Sequence, residues 1–325
     1  MNKTDLISII IPTYNRAHLI GATLDSIAAQ SYADWECLVI DDGSTDDTAA
    51  VVGGYVAADA RFQYHERPVD RPKGANACRN YGFALSKGAY INWFDSDDVM
   101  MVDKLAKQID VLHSEGTNYC ISQTMWVDKE SGEDIGLRAS AILSSQPLED
   151  YMCFTIFWSI LAPLWRRTFI EAHALQFDER LQQSQEYDFH IKALAIDSKY
   201  SVIHEPLAKM FKHEHNISHN WLYSDAKVTS NIVVKYRALK GYHEQLSLQG
   251  QVKVLEMVTL LYKDLLTMQR FAMAKYAYQT LLGMLPYVGV GRLTKFMFSI
   301  KVLVIYYSYR IFGKGYNLLK PISVE

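Results

Sequence analysis

Short apolar segments alternate with longer helical segments over about the first hundred residues. Each apolar segment is rich in β-branched or aromatic residues and is bounded by turn formers, which is typical of a buried strand. Strands that alternate with helices predict a parallel sheet covered on both faces. The predicted strands are Ile7–Ile11, Glu36–Ile40, Arg61–His65 and Tyr90–Phe94, and the predicted helices between them are Ala17–Gln30, Thr45–Ala58 and Ala75–Ser86.

Polar clusters follow three of these strands, at residues 12–16, 41–47 and 95–98. Ligands of parallel sheets bind beyond the carboxyl ends of the strands, so we expect the clusters to meet in one crevice. Residues 44–47 also fit helix capping, for which Ser, Thr and Asp are favoured. Three carboxylates within residues 95–98 exceed what capping requires, and oxygen ligands of this kind favour Mg²⁺ or Mn²⁺.

Four motifs resemble, in order and spacing, those of the nucleotide-sugar domain of the family 2 glycosyltransferases. The resemblance covers roughly residues 7–218 and implies an α/β fold of the GT-A type, with a Rossmann-like, mostly parallel sheet flanked by helices. Neither G-x-G-x-x-G nor G-x-x-x-x-G-K-[ST] occurs, which disfavours a dinucleotide dehydrogenase or a P-loop enzyme. The motifs are PTYNR at 12–16, VIDDGST at 39–45, KGANACRN at 73–80 and FDSDD at 94–98.

The resemblance assigns a set of nucleotide-binding residues. Asp41 would accept a hydrogen bond from a uracil-like ring N–H, although it or Asp42 also fits closure of the turn at Gly43. Arg79 would face the nucleotide or its phosphates, with Lys73 a second candidate, although an exposed helix position also suits an arginine. The full set is Pro12, Thr13, Tyr14, Asn15, Asp41, Lys73, Arg79 and Asp95.

The D-x-D motif of the family matches Asp95 and Asp97. The resemblance places Asp95 near the ribose and Asp97 on a Mn²⁺ or Mg²⁺ ion that bridges the diphosphate. Asp98 would support this site or cap a helix that begins at Val99. The segment KHEHNIS at 212–218 resembles the family's histidine loop, in which His213 or His215 would bind metal or phosphate oxygen, with a solvated loop histidine as the alternative.

A second signature of the family is similar to FDERL at 177–181 followed by QEYD at 185–188. Its register places Glu186 at the position of the catalytic base, which removes the proton of the acceptor hydroxyl, and Asp188 is the rival. Both acids also fit the first turn of a helix that runs through Ala195. The Q-x-x-R-W motif of processive members is absent, which favours the addition of a single sugar.

The C-terminal part is helical in pattern and basic in charge. Apolar positions recur at three- and four-residue spacing in Ala226–Leu239 and Val252–Met268, which predicts helices. Between Leu265 and Val324 there are eight Lys or Arg, eleven aromatic residues and no Asp or Glu, so the net charge of −3 divides into a basic tail and an acidic body. We expect this tail to attach to an anionic membrane surface; a buried helix with a solvated basic rim is the alternative.

These observations predict a catalytic domain at 1–222, with a nucleotide-binding half at 1–110 and an acceptor half at 111–222, and a helical extension at 223–325. The resemblance implies inverting, non-processive transfer of a hexosyl or N-acetylhexosaminyl group from a UDP-sugar to a glycan or lipid-linked acceptor, in synthesis of cell-surface polysaccharide or lipopolysaccharide. A nucleotide-sugar-binding protein without turnover and a membrane-surface scaffold are the alternatives.

Composition adds limits on class and location. With 49% hydrophobic and 21% charged residues, the chain is neither disordered nor collagen-like. Four widely spaced cysteines without a secretory leader indicate reduced thiols, so we expect a cytoplasmic protein at the inner face of the cell membrane. Nucleic acid is not an expected partner, because no binding module is recognised.

Overall fold

The computed structural model of the protein describes residues 5–212 and 221–315, which divide into two compact units. The first unit contains residues 5–145, 156–180 and 192–212. The second contains residues 146–155, 181–191 and 221–315. The second unit therefore includes two short segments that precede residue 222, in addition to the helical C-terminal region.

Nine strands form one sheet within residues 5–212. They are β1 (Ile7–Thr13), β2 (Trp35–Asp41), β3 (Phe62–Glu66), β4 (Tyr90–Trp93), β5 (Val99–Met100), β6 (Tyr119–Asp128), β7 (Asp134–Leu137), β8 (Pro163–Arg166) and β9 (Ser201–Lys212). Their order is β3-β2-β1-β4-β8-β6-β9-β5, and β7 pairs with β6. The first four strands are parallel, and β8 joins β4 antiparallel. All four strands predicted from the sequence are confirmed.

Eleven α-helices accompany the sheet in the described residues. They are α1 (Ile20–Ala28), α2 (Thr48–Ala58), α3 (Ala75–Leu85), α4 (Lys104–Glu115), α5 (Pro147–Met152), α6 (Arg167–Ala172), α7 (Gln185–Ile196), α8 (Asp225–Tyr242), α9 (Leu248–Thr267), α10 (Phe271–Met284) and α11 (Arg292–Phe312). The three helices predicted between the first strands correspond to α1, α2 and α3, although α1 and α2 each begin three residues later than predicted.

Burial explains why β1 and β2 are predominantly apolar in sequence. Every residue of β1 and of β2 is buried, as a parallel strand covered on both faces requires. Helix α3 packs closely on β1 at Gly82, where an added Cβ would lie 2.4 Å from Cγ2 of Ile10. Glycine permits this approach of helix to strand because it has no side chain.

The prediction of a helix from Val99 is wrong. Val99 and Met100 instead form β5, which pairs antiparallel with Lys209 and Ala208 of β9. The next helix, α4, begins five residues later than predicted, at Lys104. The partner strand lies more than a hundred residues away in the chain, so local pattern gave no sign of it.

The second unit is helical, and α8 and α9 confirm the two helices predicted in this region. Ser224 caps α8 and Ser247 caps α9, since each hydroxyl accepts from a backbone N–H in the first helical turn. Aliphatic and aromatic side chains of α9, α10 and α11 fill the core, among them Tyr262, Leu281 and Val302. No described helix has the length and hydropathy needed to cross a bilayer.

Candidate active site

The carboxyl ends of β1 and β2 lie side by side in the first unit. Thr13 is opposite Asp41 in the parallel register, and the N–H of Asp42 donates to the carbonyl of Thr13 at 2.9 Å. The first two polar clusters predicted from the sequence therefore meet at one edge of the sheet, as expected for a parallel arrangement.

The loop after β1 is held by the turn that precedes α2. Three consecutive backbone amides of the loop donate to side-chain oxygens of residues 44–48, while Asp47, at the N-cap of α2, makes no side-chain capping bond. Oδ1 of Asp46 accepts the backbone N–H of Thr48, the first residue of α2, at 3.1 Å, so the cluster serves the start of this helix and also fixes the β1 loop. The bonds join Asn15 N to Ser44 Oγ (2.9 Å), Arg16 N to Thr48 Oγ1 (2.9 Å) and Ala17 N to Asp46 Oδ2 (3.1 Å).

Asp41 is 2% exposed and accepts three hydrogen bonds. Its Oδ1 receives the backbone N–H groups of Gly43 (2.9 Å) and Ser44 (2.7 Å), and its Oδ2 receives the hydroxyl of Tyr64 (2.6 Å). Gly43 has a φ of 88°, which glycine adopts without strain. Asp41 therefore closes the turn, and because a carboxylate has about four acceptor positions, Oδ2 retains capacity for a ligand N–H.

Tyr64 and Arg67, which the sequence motifs did not single out, support these acids. Burial, followed by the hydrogen bond to Asp41, raises the pKa of Tyr64, so the phenol remains a donor. The guanidinium of Arg67 pairs with Asp42, and the backbone N–H of Arg67 donates to the carbonyl of Asp41 at 2.8 Å. Tyr64 lies in β3, the parallel neighbour of β2, and Arg67 follows β3 directly. The position of β3 beside β2 was the signal from which both residues could have been assigned to the site.

Arg79 and Asp95 form an ion pair, with Nη2 2.8 Å from Oδ1. Arg79 is 6% exposed, so its interpretation as an ordinary exposed helix residue is wrong. Its Nη1 also donates to Oδ1 of Asn76 at 3.3 Å. The pair joins α3 to the segment after β4 and fixes the carboxylate that the resemblance places near the ribose.

Asp97 lies beside Arg16, which the sequence analysis did not assign to the site. The Nη2 of Arg16 is 3.6 Å from Oδ2 of Asp97. Burial raises the pKa of Asp95, Arg79 opposes this, and the charge of Asp97 adds to it. Burial, followed by the charges of Asp97 and Asp95, raises the pKa of Asp98 well above its usual range. The acidic segment is thus partly neutralised by two arginines.

Two predicted nucleotide-binding residues contact each other across the site. The ammonium of Lys73 lies 3.7 Å from the ring centroid of Tyr14, a cation–π geometry. Tyr14 is 42% exposed and lies in the loop after β1, while Lys73 directly precedes Gly74, the N-cap residue of α3. A cation and an aromatic face are thereby available to a ligand at the same edge of the sheet.

The donor set of the acidic segment fits a divalent cation. Asp95 and Asp97 supply hard carboxylate oxygens, and burial together with the charge of Asp97 disfavours the ionised form of Asp95, which raises its pKa. Mg²⁺ and Mn²⁺ are commonly held by one or two carboxylates together with substrate phosphates and waters. Within residues 5–212 and 221–315, no three His, Cys, Asp or Glu side chains form a metal-binding group. The predicted ligands His213 and His215 lie outside the described residues.

The FDERL segment is attached to α3 by two asparagines of the KGANACRN motif. Asn76 donates through Nδ2 to the carbonyl of Asp178 at 2.8 Å. Asn80 donates to the carbonyl of Phe177 at 2.9 Å and accepts from its N–H at 3.1 Å. The spacing of the two asparagines, one helical turn apart, explains why both side chains reach the same segment.

Glu186 and Asp188 belong to the second unit, in the first turn of α7, where a helix was predicted. Asp188 is buried, and Glu186 is half-buried. Burial, followed by the charge of Asp188, raises the pKa of Tyr242 on α8. Directly before the helix, Ser184 has a φ of 61°, and its hydroxyl accepts a hydrogen bond from Nδ2 of Asn231 at 3.1 Å.

The fold is an α/β fold of the GT-A type, with a mostly parallel sheet flanked by helices. Residues 8–161 match the model of glycosyl transferase family 2, which confirms the resemblance predicted from the motifs. Over 256 residues the chain is 28% identical to an uncharacterized glycosyltransferase of Rickettsia typhi, covering 77% of this chain and 75% of that protein.

A second relative is the UDP-Glc:alpha-D-GlcNAc-diphosphoundecaprenol beta-1,3-glucosyltransferase WfgD of Escherichia coli. It is 38% identical over 107 residues, which is 33% of this chain and 41% of WfgD. The chain thus spans less than half of WfgD, although it spans three quarters of the Rickettsia protein.

Solved structures agree on the fold. The S. aureus TarS 1-349 structure in complex with UDP-GlcNAc has a TM-score of 0.57 at 16% identity, covering 94% of this chain and 91% of that one. The mannosyltransferase PcManGT from Pyrobaculum calidifontis, in complex with GDP-Man and Mn²⁺, has a TM-score of 0.54 at 15% identity, covering 96% of this chain and 84% of that one.

Proposed function

We propose that the protein is an inverting, metal-dependent glycosyltransferase that adds one sugar from a UDP-sugar to a glycan or lipid-linked acceptor. The observation that carries this proposal is the convergence, at the carboxyl ends of β1, β2 and β4, of a buried carboxylate, an ion-paired arginine and an acidic segment. Asp41, the Arg79–Asp95 pair and Asp97 have the chemistry that a nucleoside diphosphate requires.

In this proposal Oδ2 of Asp41 accepts the ring N–H of uracil while Tyr64 orients the carboxylate. Asp95 faces the ribose, and Arg79 holds Asp95 in place through the pair described above. Lys73 and Tyr14 bind the donor at the exposed side of the site. Asp97, with Asp95, would hold Mn²⁺ or Mg²⁺, which when bound stabilises the negative charge of the departing diphosphate.

Glu186 is the proposed base. It takes the proton of the acceptor hydroxyl as the new bond to the anomeric carbon forms and the bond to the diphosphate breaks, which inverts the configuration at that carbon. The partial exposure of Glu186, against the burial of Asp188, favours Glu186 for contact with an acceptor. The transferred group is proposed to be a hexosyl or N-acetylhexosaminyl group by analogy with WfgD, named for UDP-Glc, and TarS, which was solved with UDP-GlcNAc.

We further propose that the acceptor belongs to polysaccharide synthesis and is lipid-linked, so that the protein works at the inner face of the cell membrane. Support comes from WfgD, whose name specifies a diphosphoundecaprenol acceptor. Two proteins that share the fold have structures with nucleotide sugars, TarS with UDP-GlcNAc and PcManGT with GDP-Man and Mn²⁺.

A thermal-shift panel tests the core of the proposal. The melting temperature is measured with UDP, GDP, CDP and dTDP, each with and without Mn²⁺. A ligand that binds the native state raises apparent stability by mass action. We expect UDP with Mn²⁺ to give the largest increase, and absence of a metal-dependent increase with every nucleotide would refute the proposed donor site.

Two variants test whether the metal-dependent part of the thermal shift depends on Asp97. Asp97→Asn keeps the size of the side chain and removes its charge, so it should abolish the Mn²⁺-dependent part of the UDP shift. Asp59→Asn is a matched control, because this acid pairs with Arg61 between α2 and β3, at the amino end of β3 and therefore away from the carboxyl ends of the strands that form the site. If both variants behave alike, the metal does not depend on Asp97.

A further inference from the structure

Helix α11 presents an apolar face to solvent. Six side chains of this face are 40–73% exposed, although each is aliphatic or aromatic. Their spacing of three or four residues places them along one side of the helix over five turns. These residues, called the exposed stripe, are Leu293, Phe296, Ile300, Val304, Tyr307 and Ile311.

The opposite face of α11 is fixed within the second unit. Phe298, Val302, Ile305 and Tyr309 are buried, and the hydroxyl of Tyr262 on α9 donates to the carbonyl of Val302 at 2.8 Å. The helix is therefore not a detached segment, and the exposed stripe is the side that the described residues of its own unit leave uncovered. Gly313, with a φ of 66°, ends the helix directly after Phe312.

Basic side chains border the exposed stripe on both sides. At 3.6 residues per turn, Arg292 and Arg310 fall on one flank of the stripe and Lys301 falls on the other. All three are exposed. No Asp or Glu occurs between Leu265 and Val324, so no carboxylate of this segment competes for these cations. An apolar face between two basic borders complements a surface with a hydrocarbon interior and anionic headgroups.

We propose that α11 lies in the plane of an anionic phospholipid surface, with the exposed stripe at the boundary between headgroups and acyl chains. Arg292, Arg310 and Lys301 would then meet lipid phosphates on either side of the helix. Interfacial helices bind with a strength that rises with the apolar area they bury and with attraction to anionic lipid. The proposal does not depend on sugar transfer, because the stripe and the nucleotide site use different residues.

Flotation of the full-length protein with vesicles tests the proposal. We expect the protein to float with phosphatidylglycerol vesicles at low salt, and at least tenfold less with phosphatidylcholine vesicles. The triple variant Phe296→Gln, Val304→Gln and Tyr307→Gln should reduce flotation at least tenfold. A matched triple variant, Val56→Gln, Ile135→Gln and Leu137→Gln, replaces exposed apolar residues elsewhere and should float like the unchanged protein.

Variants that remove positive charge distinguish electrostatic attraction to anionic lipid from the burial of apolar side chains. Lys301→Gln with Arg310→Gln should remove most of the preference for anionic vesicles, whereas Lys129→Gln with Lys199→Gln, two exposed lysines of the first unit, should not. Phe296→Trp reports insertion through the difference in emission between this variant and the unchanged protein, which has six tryptophans. This difference should shift to shorter wavelength on vesicle addition and be quenched by brominated acyl chains.

Three outcomes would overturn the proposal. In the first, the triple variant at Phe296, Val304 and Tyr307, called the stripe variant, floats as well as the matched control. In the second, the emission of the Phe296→Trp variant, relative to the unchanged protein, does not change with vesicles. Alternatively, the protein forms a dimer in light scattering that the stripe variant dissociates, in which case the stripe joins two copies of the chain. The UDP thermal shift of the stripe variant should equal that of the unchanged protein, so failure here is distinguishable from failure of the proposed donor site.

Discussion

The amide of Asn231, on α8, donates a hydrogen bond to the hydroxyl of Ser184, the residue that precedes α7. Ser184 is in the left-handed conformation, which non-glycine residues adopt only where surrounding contacts support it. Lys235, one turn further along α8, donates to Oδ1 of Asn231 at 2.7 Å and so orients the amide. A helix of the C-terminal region thus fixes the turn that begins α7, where the candidate base Glu186 lies.

Replacing Asn231 should impair turnover more than donor binding. Asn231→Ala removes the bond to Ser184, and we expect a loss of about 1 kcal/mol in the free energy of unfolding. Displacement of Glu186 should lower kcat on the order of tenfold, because small misplacements of a reacting group are costly. The Kd for UDP should not change. Steady-state kinetics, denaturant unfolding and calorimetry give these three values.

Two further variants separate a positioning role from a structural one. Asn231→Asp still accepts from Lys235 and can accept from the Ser184 hydroxyl, so it should restore kcat. Thr280→Ala removes a comparable helix hydrogen bond, from Thr280 to the carbonyl of Tyr276 on α10. Equal losses of kcat in Asn231→Ala and Thr280→Ala would show that general destabilisation, not the position of α7, is responsible.

Glu186→Gln should lower kcat by a factor on the order of 10² to 10⁴, the usual contribution of a general base. The glutamine keeps the shape of the side chain, so the melting temperature and the UDP affinity should remain the same. Asp188→Asn serves as the matched comparison, because this acid lies two residues along the same helical turn and is buried. A larger loss of kcat with Asp188→Asn would transfer the assignment of the base to Asp188.

The hydrogen bonds of Asp41 predict a change of nucleobase preference. In Asp41→Asn, Oδ1 can keep the amides of Gly43 and Ser44, which places Nδ2 where Oδ2 accepted from Tyr64. The Tyr64 hydroxyl can then accept from Nδ2, and the second Nδ2 hydrogen faces the base. Cytosine has a ring acceptor where uracil has N–H, so the variant should bind CDP more tightly than UDP.

Calorimetric Kd values for UDP and CDP measure this exchange. We expect the ratio of the two values to shift by at least tenfold in Asp41→Asn, which corresponds to about 1.4 kcal/mol. Asp42→Asn controls for the lost charge, since Asp42 lies next in the chain but pairs with Arg67. An unchanged ratio in Asp41→Asn would mean that the carboxylate serves the turn at Gly43 alone.

The features of the fold that could be predicted from the sequence are those that depend on the pattern of residues close together in the chain. Strands β1 and β2 are predominantly apolar because both faces of a parallel sheet are covered, and this burial is visible in the sequence as a run of apolar residues. The GT-A fold followed from motifs at the strand ends. By contrast, the pairing of β5 with β9, and the bonds from residues 15–17 to residues 44–48, join distant segments, so neither the strand at Val99 nor the late start of α1 was predicted.

Two residues of the candidate site, Arg16 and Tyr64, were not predicted from the sequence for a related reason: their partners are distant in the chain. Arg16 belongs to a recognised motif, but its partner Asp97 lies eighty-one positions later, and only the fold brings the charges within 3.6 Å. Tyr64 appeared as one more aromatic residue of a strand until the register placed β3 beside β2. Hydrogen bonds of buried side chains depend on such neighbours, which a single sequence does not specify.

Lys104 predicts a pH dependence of stability. It is the first residue of α4, it is fully buried, and its ammonium donates to Oε1 of Gln108 at 2.8 Å and to the carbonyl of Ala162 at 3.1 Å. Burial lowers the pKa of Lys104 from 10.5 to about 7. Between these two values the unfolded chain holds a proton at this position that the folded protein has released, so stability rises with pH throughout this interval.

Lys104→Met removes this titration and should therefore remove the corresponding rise in stability. The unfolding free energy of the unchanged protein, minus that of the variant, should increase by about 1.4 kcal/mol per pH unit from pH ~7.5 to ~9.5. Below about pH 7 the buried charge is retained at full cost, so the variant should be relatively most stable there. Lys199→Met, at an exposed lysine, should follow the unchanged protein at every pH. Denaturant unfolding at several pH values measures these differences, and parallel curves for the unchanged protein and Lys104→Met would show that the buried amine remains charged, because then neither state changes its protonation over the interval.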